Sequence, residues 1–194
     1  MAVEVARCVL GCLFLFHLAT AYEQLVVSDC SKNANHPLKL VNVDFSPMPI
    51  SMPGTMRVSF NAKALRDLTS SKISLSIYRE TWLMNIPVPC IRNIGSCDYD
   101  DSCVVLEQMI EEDWLGISKM MGQQIKKMVE DAGKSTACPL RATDIEVRDF
   151  EFRLPHIPKP LLFLAGGDYK VRVIVTENAS GEELMCTDLK MSLN

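Results

Sequence analysis

A two-residue alternation of apolar and polar side chains runs along most of this chain, and a segment with that period can bury one face only as a β-strand. Met56, Val58 and Phe60 interleave with Arg57, Ser59 and Asn61 after a turn signal at Pro53-Gly54. Ile73, Leu75 and Ile77 alternate with serines, and Tyr169, Val171, Val173 and Val175 form another clean run. Leu38, Leu40 and Val43 to Phe45 suggest an earlier strand, and Ile86 with Val88 a short one. Parity slips twice: Ile145 and Val147 are followed by Phe150, Phe152 and Leu154, and Leu184 and Cys186 by Leu189, Met191 and Leu193. A slip of one residue turns a strand's apolar set to the wrong face, so each slip predicts a β-bulge, the first near Arg148-Asp149. Some seven strands with two bulges predict a mainly β fold, a curved sandwich or an open cup.

One stretch breaks the pattern. Leu106, Ile110, Trp114, Ile117, Met121, Ile125 and Met128 recur at helical spacing, with Glu111, Glu112, Gln123, Lys126 and Lys127 on the other side. This predicts an inserted amphipathic helix over 104–132, or two shorter ones, because Gly116 and Gly122 weaken it; Gly133 is a natural stop.

The first 21 residues read as a leader. Arg7 gives a short cationic start, Cys8 to Leu18 an apolar run too short to span a bilayer, and Ala19-Thr20-Ala21 a cleavage pattern. Residues 22–194 then form one domain in a secretory compartment. Of eight cysteines, Cys8 and Cys12 leave with the leader. An even set remains, which in an oxidising compartment reads as disulfides rather than a metal site. Cys90, Cys97 and Cys103 are spaced too widely for zinc, and mature histidines are only His36 and His156. A formal charge of -4 argues against nucleic acid as a partner. Asn178-Ala179-Ser180, followed by Gly181 between two strands, is a glycosylation sequon on a predicted hairpin.

Catalytic signals are missing. The chain has no Gly-x-Ser-x-Gly elbow, no phosphate loop and no His-Glu-x-x-His. Glu111-Glu112-Asp113 point different ways on a helix, and Asp98, Asp100 and Asp101 lack the spacing and closing Glu of a calcium loop. No cofactor or metal is expected. The anomaly is apolar surface where loops should be polar: Trp82-Leu83-Met84 after a strand, and Leu161-Leu162-Phe163 between proline-rich and glycine-rich punctuation. Trp114 and Met121 on the helix join these as candidate lipid-binding or membrane-docking residues. The alternative, that all three segments cap a core, stays open.

Ile86-Pro87-Val88-Pro89-Cys90, Ile94-Gly95-Ser96-Cys97 and Cys103-Val104-Val105-Leu106 carry a family resemblance. With Pro53-Gly54, the strand Ile73 to Ile77, Gly167-Asp168-Tyr169 and Cys186, the chain resembles the ganglioside GM2 activator family of lysosomal sphingolipid activators over most of its length. The resemblance implies a β-cup of two antiparallel sheets around a lipid cavity, with apolar loops at the mouth. It implies the pairs Cys30 with Cys186, Cys90 with Cys97 and Cys103 with Cys138. It also implies a non-enzymatic function: taking a glycosphingolipid or other lipid from a membrane, transferring it, and presenting it to a lysosomal hexosaminidase-type hydrolase. One departure stands out. The family's fourth disulfide lies in the segment before Cys138, where this chain has no cysteine pair and a longer helical stretch instead.

A lipid chain gains about 0.8 kcal/mol per methylene buried, so a carrier needs an apolar interior. Val58, Phe60, Leu75, Ile77, Ile145, Val147, Val171 and Val173 are the candidate cavity lining. The same strands would also suit a secreted structural or signalling protein whose cup is filled by its own side chains. The expected location is lysosomal or extracellular.

Overall fold

The computed structural model describes residues 21–194, so the leader expected over 1–21 lies, but for Ala21, outside the described residues. The described residues hold nine strands: β1 (Val26–Asp29), β2 (Leu38–Ser46), β3 (Gly54–Ala64), β4 (Ser71–Glu80), β5 (Asn85–Pro87), β6 (Asp98–Tyr99), β7 (Thr143–Leu154), β8 (Gly167–Glu177) and β9 (Glu183–Leu193). They form two antiparallel sheets. The larger has the order β1-β9-β8-β4-β5, with β6 also on β4; the smaller has the order β2-β3-β7. The fold is the mainly β cup that the alternation and the resemblance lead one to expect. β1 and β6, short and without alternation, have no signal in the sequence.

The parity slip in β7 is a bulge. Val58 pairs with Phe150 but Phe60 pairs with Val147, so Arg148 and Asp149 together oppose Ser59. Asp149 takes a positive φ of 48°, and its N–H donates to the Ser59 hydroxyl at 2.9 Å. Ile145, Val147, Phe150 and Phe152 thereby all face the other sheet. The slip in β9 falls earlier than expected. Val175 pairs with Met185 and Thr176 with Glu183, which places the extra residue at Leu184. Cys186 is therefore not on the inner parity. It sits with Asp188 and Lys190 on the outer side, bonded to Cys30.

The helical stretch is a hairpin of two helices, α1 (Ser102–Glu112) and α2 (Ser118–Asp131), around a short 3-10 turn at Trp114–Gly116. Asp113, Leu115 and Gly116 all take positive φ, and they reverse the chain there. Gly122 is the point of contact: a β-carbon there would stand 2.8 Å from Ile110 Cγ1, so the absence of a side chain lets the helices close. Gly133 ends α2 at φ +70°, as its position predicts.

The hairpin fills the gap between the sheets along one side. On sheet β2-β3-β7, the Gln124 amide acts as an extra strand residue on the bare edge of β7, accepting from Arg153 N at 2.7 Å and donating to Arg153 O at 3.0 Å. On the other sheet, Asp101 caps α1 by accepting from Cys103 N and also accepts from Ser70, while Trp114 stacks on Tyr99 of β6. Along the opposite side His36 joins the sheets directly: its ring nitrogens lie 2.9 Å from Asp29 Oδ2 on β1 and 2.7 Å from Leu38 O on β2. Ile50 bridges to Leu193 at the far end of β9.

Candidate functional site

Register sets the predicted lining residues side by side on the inner parity of each sheet. Leu75 and Ile77 lie opposite Val173 and Val171, and Phe60 lies opposite Val147. Packed sheets normally bury such residues completely. Here only Val58 and Val147 are buried; Phe60, Leu75, Ile77, Ile145, Val171 and Val173 stay half-buried although they face inward. The sheets are therefore closed at two places rather than along their length. One cluster is centred on Ile50, Val58, Phe152 and Leu154; the other on Ala64, Leu68, Val175 and Leu184.

Between the sheets, beside the second cluster, lies an apolar cavity of about 270 Å³. Of the predicted lining residues it includes only Ile145; Ile73, Val175, Leu106, Val129 and Leu140 form much of the rest. Ile73 and Val175 stand on the inner parity of the strands read from the sequence. Leu106 was legible as part of the helical stripe, whereas Val129 and Leu140 carried no signal. Thr69, Ser71 and Ser102 supply hydroxyls at its wall, with Ser71 and Ser102 Oγ 2.8 Å apart.

The apolar loops gather at the opposite end. Glu80, the last residue of β4, pairs with Asp168 at the start of β8, so the turn after β4 and the segment before β8 are neighbours. Arg79 Nη1 links them by donating to Phe163 O at 3.2 Å. In the β4–β5 turn Thr81 holds the chain, its N–H and hydroxyl both donating to Met84 O, and this pushes Trp82 and Leu83 to the apex. Trp82 is 94% exposed, and Leu83 and Met84 are also exposed. In the 3-10 turn Lys159–Leu164, Leu162 and Phe163 (44% exposed) face outward.

Three residues proposed for this surface do not belong to it. Leu161 is 3% exposed and anchors its turn. Trp114 is 7% exposed, stacked on Tyr99, with its indole N–H donating to Glu112 at 2.7 Å. Met121 packs on the Ile50 cluster. Leu161 and Trp114 follow from the turns they occupy, where a reversal in the chain buries one apolar residue, and Met121 from the helical stripe it shares with Ile125 and Met128, which faces the sheets.

The acidic groups have structural partners. Asp98 pairs with Lys72 at 3.0 Å, Asp101 caps α1, and Asp113 Oδ1 accepts from Lys119 N. Cys30–Cys186, Cys90–Cys97 and Cys103–Cys138 are joined, the pairing the resemblance implies, and they fit an oxidising compartment. Asn178 is exposed in the β8–β9 turn, where its Nδ2 donates to Ser70 Oγ and to Asp100 O.

A family model of the ML domain matches residues 24–193. The chain belongs to the ML domain family. Ganglioside GM2 activator of Mus musculus is 24% identical over 158 residues, covering 81% of this chain and 76% of the mouse protein. That of Macaca fascicularis is 27% identical over 158 residues, covering 81% and 77%. Among solved structures, a Niemann-Pick type C2 protein from Japanese carpenter ant superposes with a TM-score of 0.44 at 12% identity, over 87% of this chain and 99% of that one. This ML domain is thus a lipid-binding protein by family, and its GM2-activator-like sequence is carried by a cup whose side is closed by the α1–α2 hairpin.

Proposed function

We propose that this ML domain is a non-enzymatic carrier, lysosomal or secreted, that takes a glycolipid or phospholipid from a membrane into the space between its sheets. We extend the reading to presentation of that lipid to a hexosaminidase-type glycosidase, a step that the likeness to the ganglioside GM2 activators supports. One observation carries the reading: inward-facing aliphatic residues at mid-strand keep accessible surface while Trp82, Leu83, Met84, Leu162 and Phe163 face water at one end. Exposed apolar side chains in that arrangement mark an interaction surface, and beside an accessible apolar interior the partner they fit best is lipid. Tryptophan at an exposed apex is also the side chain best suited to the bilayer interface. Phe60, Leu75, Ile77, Val171 and Val173 would line the occupied cup, and Asn178 would carry glycan.

The test is lipid content and transfer. Protein purified from a secretory host is examined by native mass spectrometry and then mixed with donor and acceptor vesicles carrying a fluorescent glycosphingolipid. Lipid of stoichiometric mass and protein-dependent transfer are expected. A lipid-free protein that transfers nothing would favour a cup filled by its own side chains.

A further inference from the structure

Arg79 stands where a lipid carrier has most to gain from a charge. It follows Ile77 at the two-residue spacing that keeps both on the inner face of β4, and it pairs with the buried Tyr169. It is also the last inward-facing residue before the exposed Trp82 turn. The side chain lies across Gly167: a β-carbon there would stand 3.0 Å from Arg79 Nε and 3.2 Å from Nη2. Gly167 (φ +111°) is thus the notch that admits the guanidinium to the cup mouth. Of the five N–H donors of a guanidinium, one is used among the described residues, by Nη1 on Phe163 O. Among the described residues no carboxylate lies within 4.0 Å of Arg79, Arg57 or Arg92, whereas Arg66, Arg141, Arg148, Arg153 and Arg172 each have at least one; of the three without one, only Arg79 stands at the cup mouth, between the two apolar loops.

An unpaired guanidinium between two apolar loops is costly once those loops enter a bilayer, because it loses water and gains no counter-charge. The cost vanishes if the lipid supplies the counter-charge. Arginine presents a planar fork that matches the oxyanions of phosphate, sulfate and carboxylate. We propose that Arg79 reads the headgroup: it binds the oxyanion of an anionic lipid at the mouth while the lipid's chains enter between the sheets. The inference rests on the carrier reading above and adds a class of cargo to it.

Sulfatide and galactosylceramide form a matched pair, differing only by a sulfate, and both are offered as fluorescent probes at trace level in neutral phosphatidylcholine vesicles. The wild-type chain is expected to transfer sulfatide about tenfold faster, the low end of the effect of a charge-assisted hydrogen bond. Arg79→Gln should bring the two lipids within about twofold by slowing sulfatide alone, and Arg79→Lys should keep part of the preference. Unchanged transfer of galactosylceramide by the variants shows that they are folded. Lys32→Gln, which removes the same charge from an exposed loop at the far end, should leave the preference intact. A preference that survives in Arg79→Gln, or one lost equally in Lys32→Gln, overturns the assignment. Transfer of neither lipid by the wild-type chain overturns the carrier reading and this inference with it. Trp82→Ser separates the two: it should slow both lipids equally, and if it slows neither while Arg79→Gln abolishes the preference, the docking loop falls and the headgroup site stands.

Discussion

The chain has two tryptophans, and the structure gives them opposite environments, so the same truncation at each should have opposite consequences. Trp82 is 94% exposed at the apex of the β4–β5 turn and has no ring partner among the described residues. Trp82→Ala should change unfolding free energy by less than about 0.5 kcal/mol, as surface substitutions do. Buried in a bilayer, however, a large apolar side chain contributes about 2–3 kcal/mol. Its loss should weaken partition onto phosphatidylcholine vesicles by about 30–150-fold at 1.4 kcal/mol per decade. Trp114 is 7% exposed, stacked 5.8 Å from the Tyr99 ring and hydrogen-bonded to Glu112. Trp114→Ala should cost about 3–5 kcal/mol of stability and leave vesicle binding of the folded protein unchanged. Urea denaturation and vesicle flotation on both variants provide the readout, and Trp82 emission in a Trp114→Phe background should shift to the blue on docking. A Trp82→Ala protein that floats like the wild type refutes the lip, whatever its stability.

Four other outcomes follow from the same geometry. Replacing Cys103 and Cys138 together by serine opens a loop of sequence separation 35 and should cost about 4 kcal/mol by chain entropy, read from urea midpoints; free thiols at these positions in the native protein would contradict the pairing. Gly122→Val should destabilise by about 2–3 kcal/mol, since its β-carbon meets Ile110 at 2.8 Å, and a melt will show it. The two N–H donors of Arg172, aided by Lys170, hold the Asp188 carboxyl down from 3.8 to about 2. Its folded pKa is thus the lower one, so this stabilisation of about 2 kcal/mol is complete above about pH 4 and lost as the pH falls through 2; Asp188→Asn should cost as much at pH 5 as at pH 7. Asn178→Gln should lower the mass of protein from a secretory host by one glycan.

Hydrophobic parity made most of the cup legible before any coordinates. It even located the bulge at Arg148-Asp149, because Ile145 and Phe152 can share a face only if one residue is spare. In β9 the same rule misplaced the bulge, since Cys186 counts as apolar in a pattern but its partner Cys30 holds it on the outer side. The helical stripe ran unbroken through Trp114 because both helices of a hairpin bury residues on the same period. The reversal itself depends on positive φ at Asp113 and Leu115, which their identities do not announce. β1 is four residues with no buried side chain, held by its pairing to β9 and by Cys30. At the site, composition flagged both apolar loops but could not say that Leu161 is the anchor and Leu162 and Phe163 the displayed surface, for that choice belongs to the 3-10 turn. Arg79 was missed because one cation after an alternating strand looks like its end.

The two ends of the cup are built from different materials, and this bears on how a lipid could be accommodated. At the Ser71 end the helical hairpin is fixed covalently by Cys103–Cys138 and by hydrogen bonds that run from Asn178 through Ser70 to the Asp101 cap. Those contacts are directional and short, and they leave little freedom to the small cavity beside them. Toward the Trp82 end, the cluster around Ile50, Val58, Phe152 and Leu154 is surrounded by Met48, Met52, Met56, Met121, Met128 and Met191, six of the chain's eleven methionines. Methionine has an unbranched, polarisable side chain that repacks at low cost. The hairpin is thus attached rigidly at one end, while α2 rests on adaptable side chains nearer the other. β4 spans about 30 Å between those ends, about the length of its ten residues at strand rise. A chain inserted from the lip would meet the methionine wall first and the fixed cavity last. Space would therefore be made by rotamer changes around α2, with the sheets, tied by His36 and by Cys30–Cys186, keeping their places.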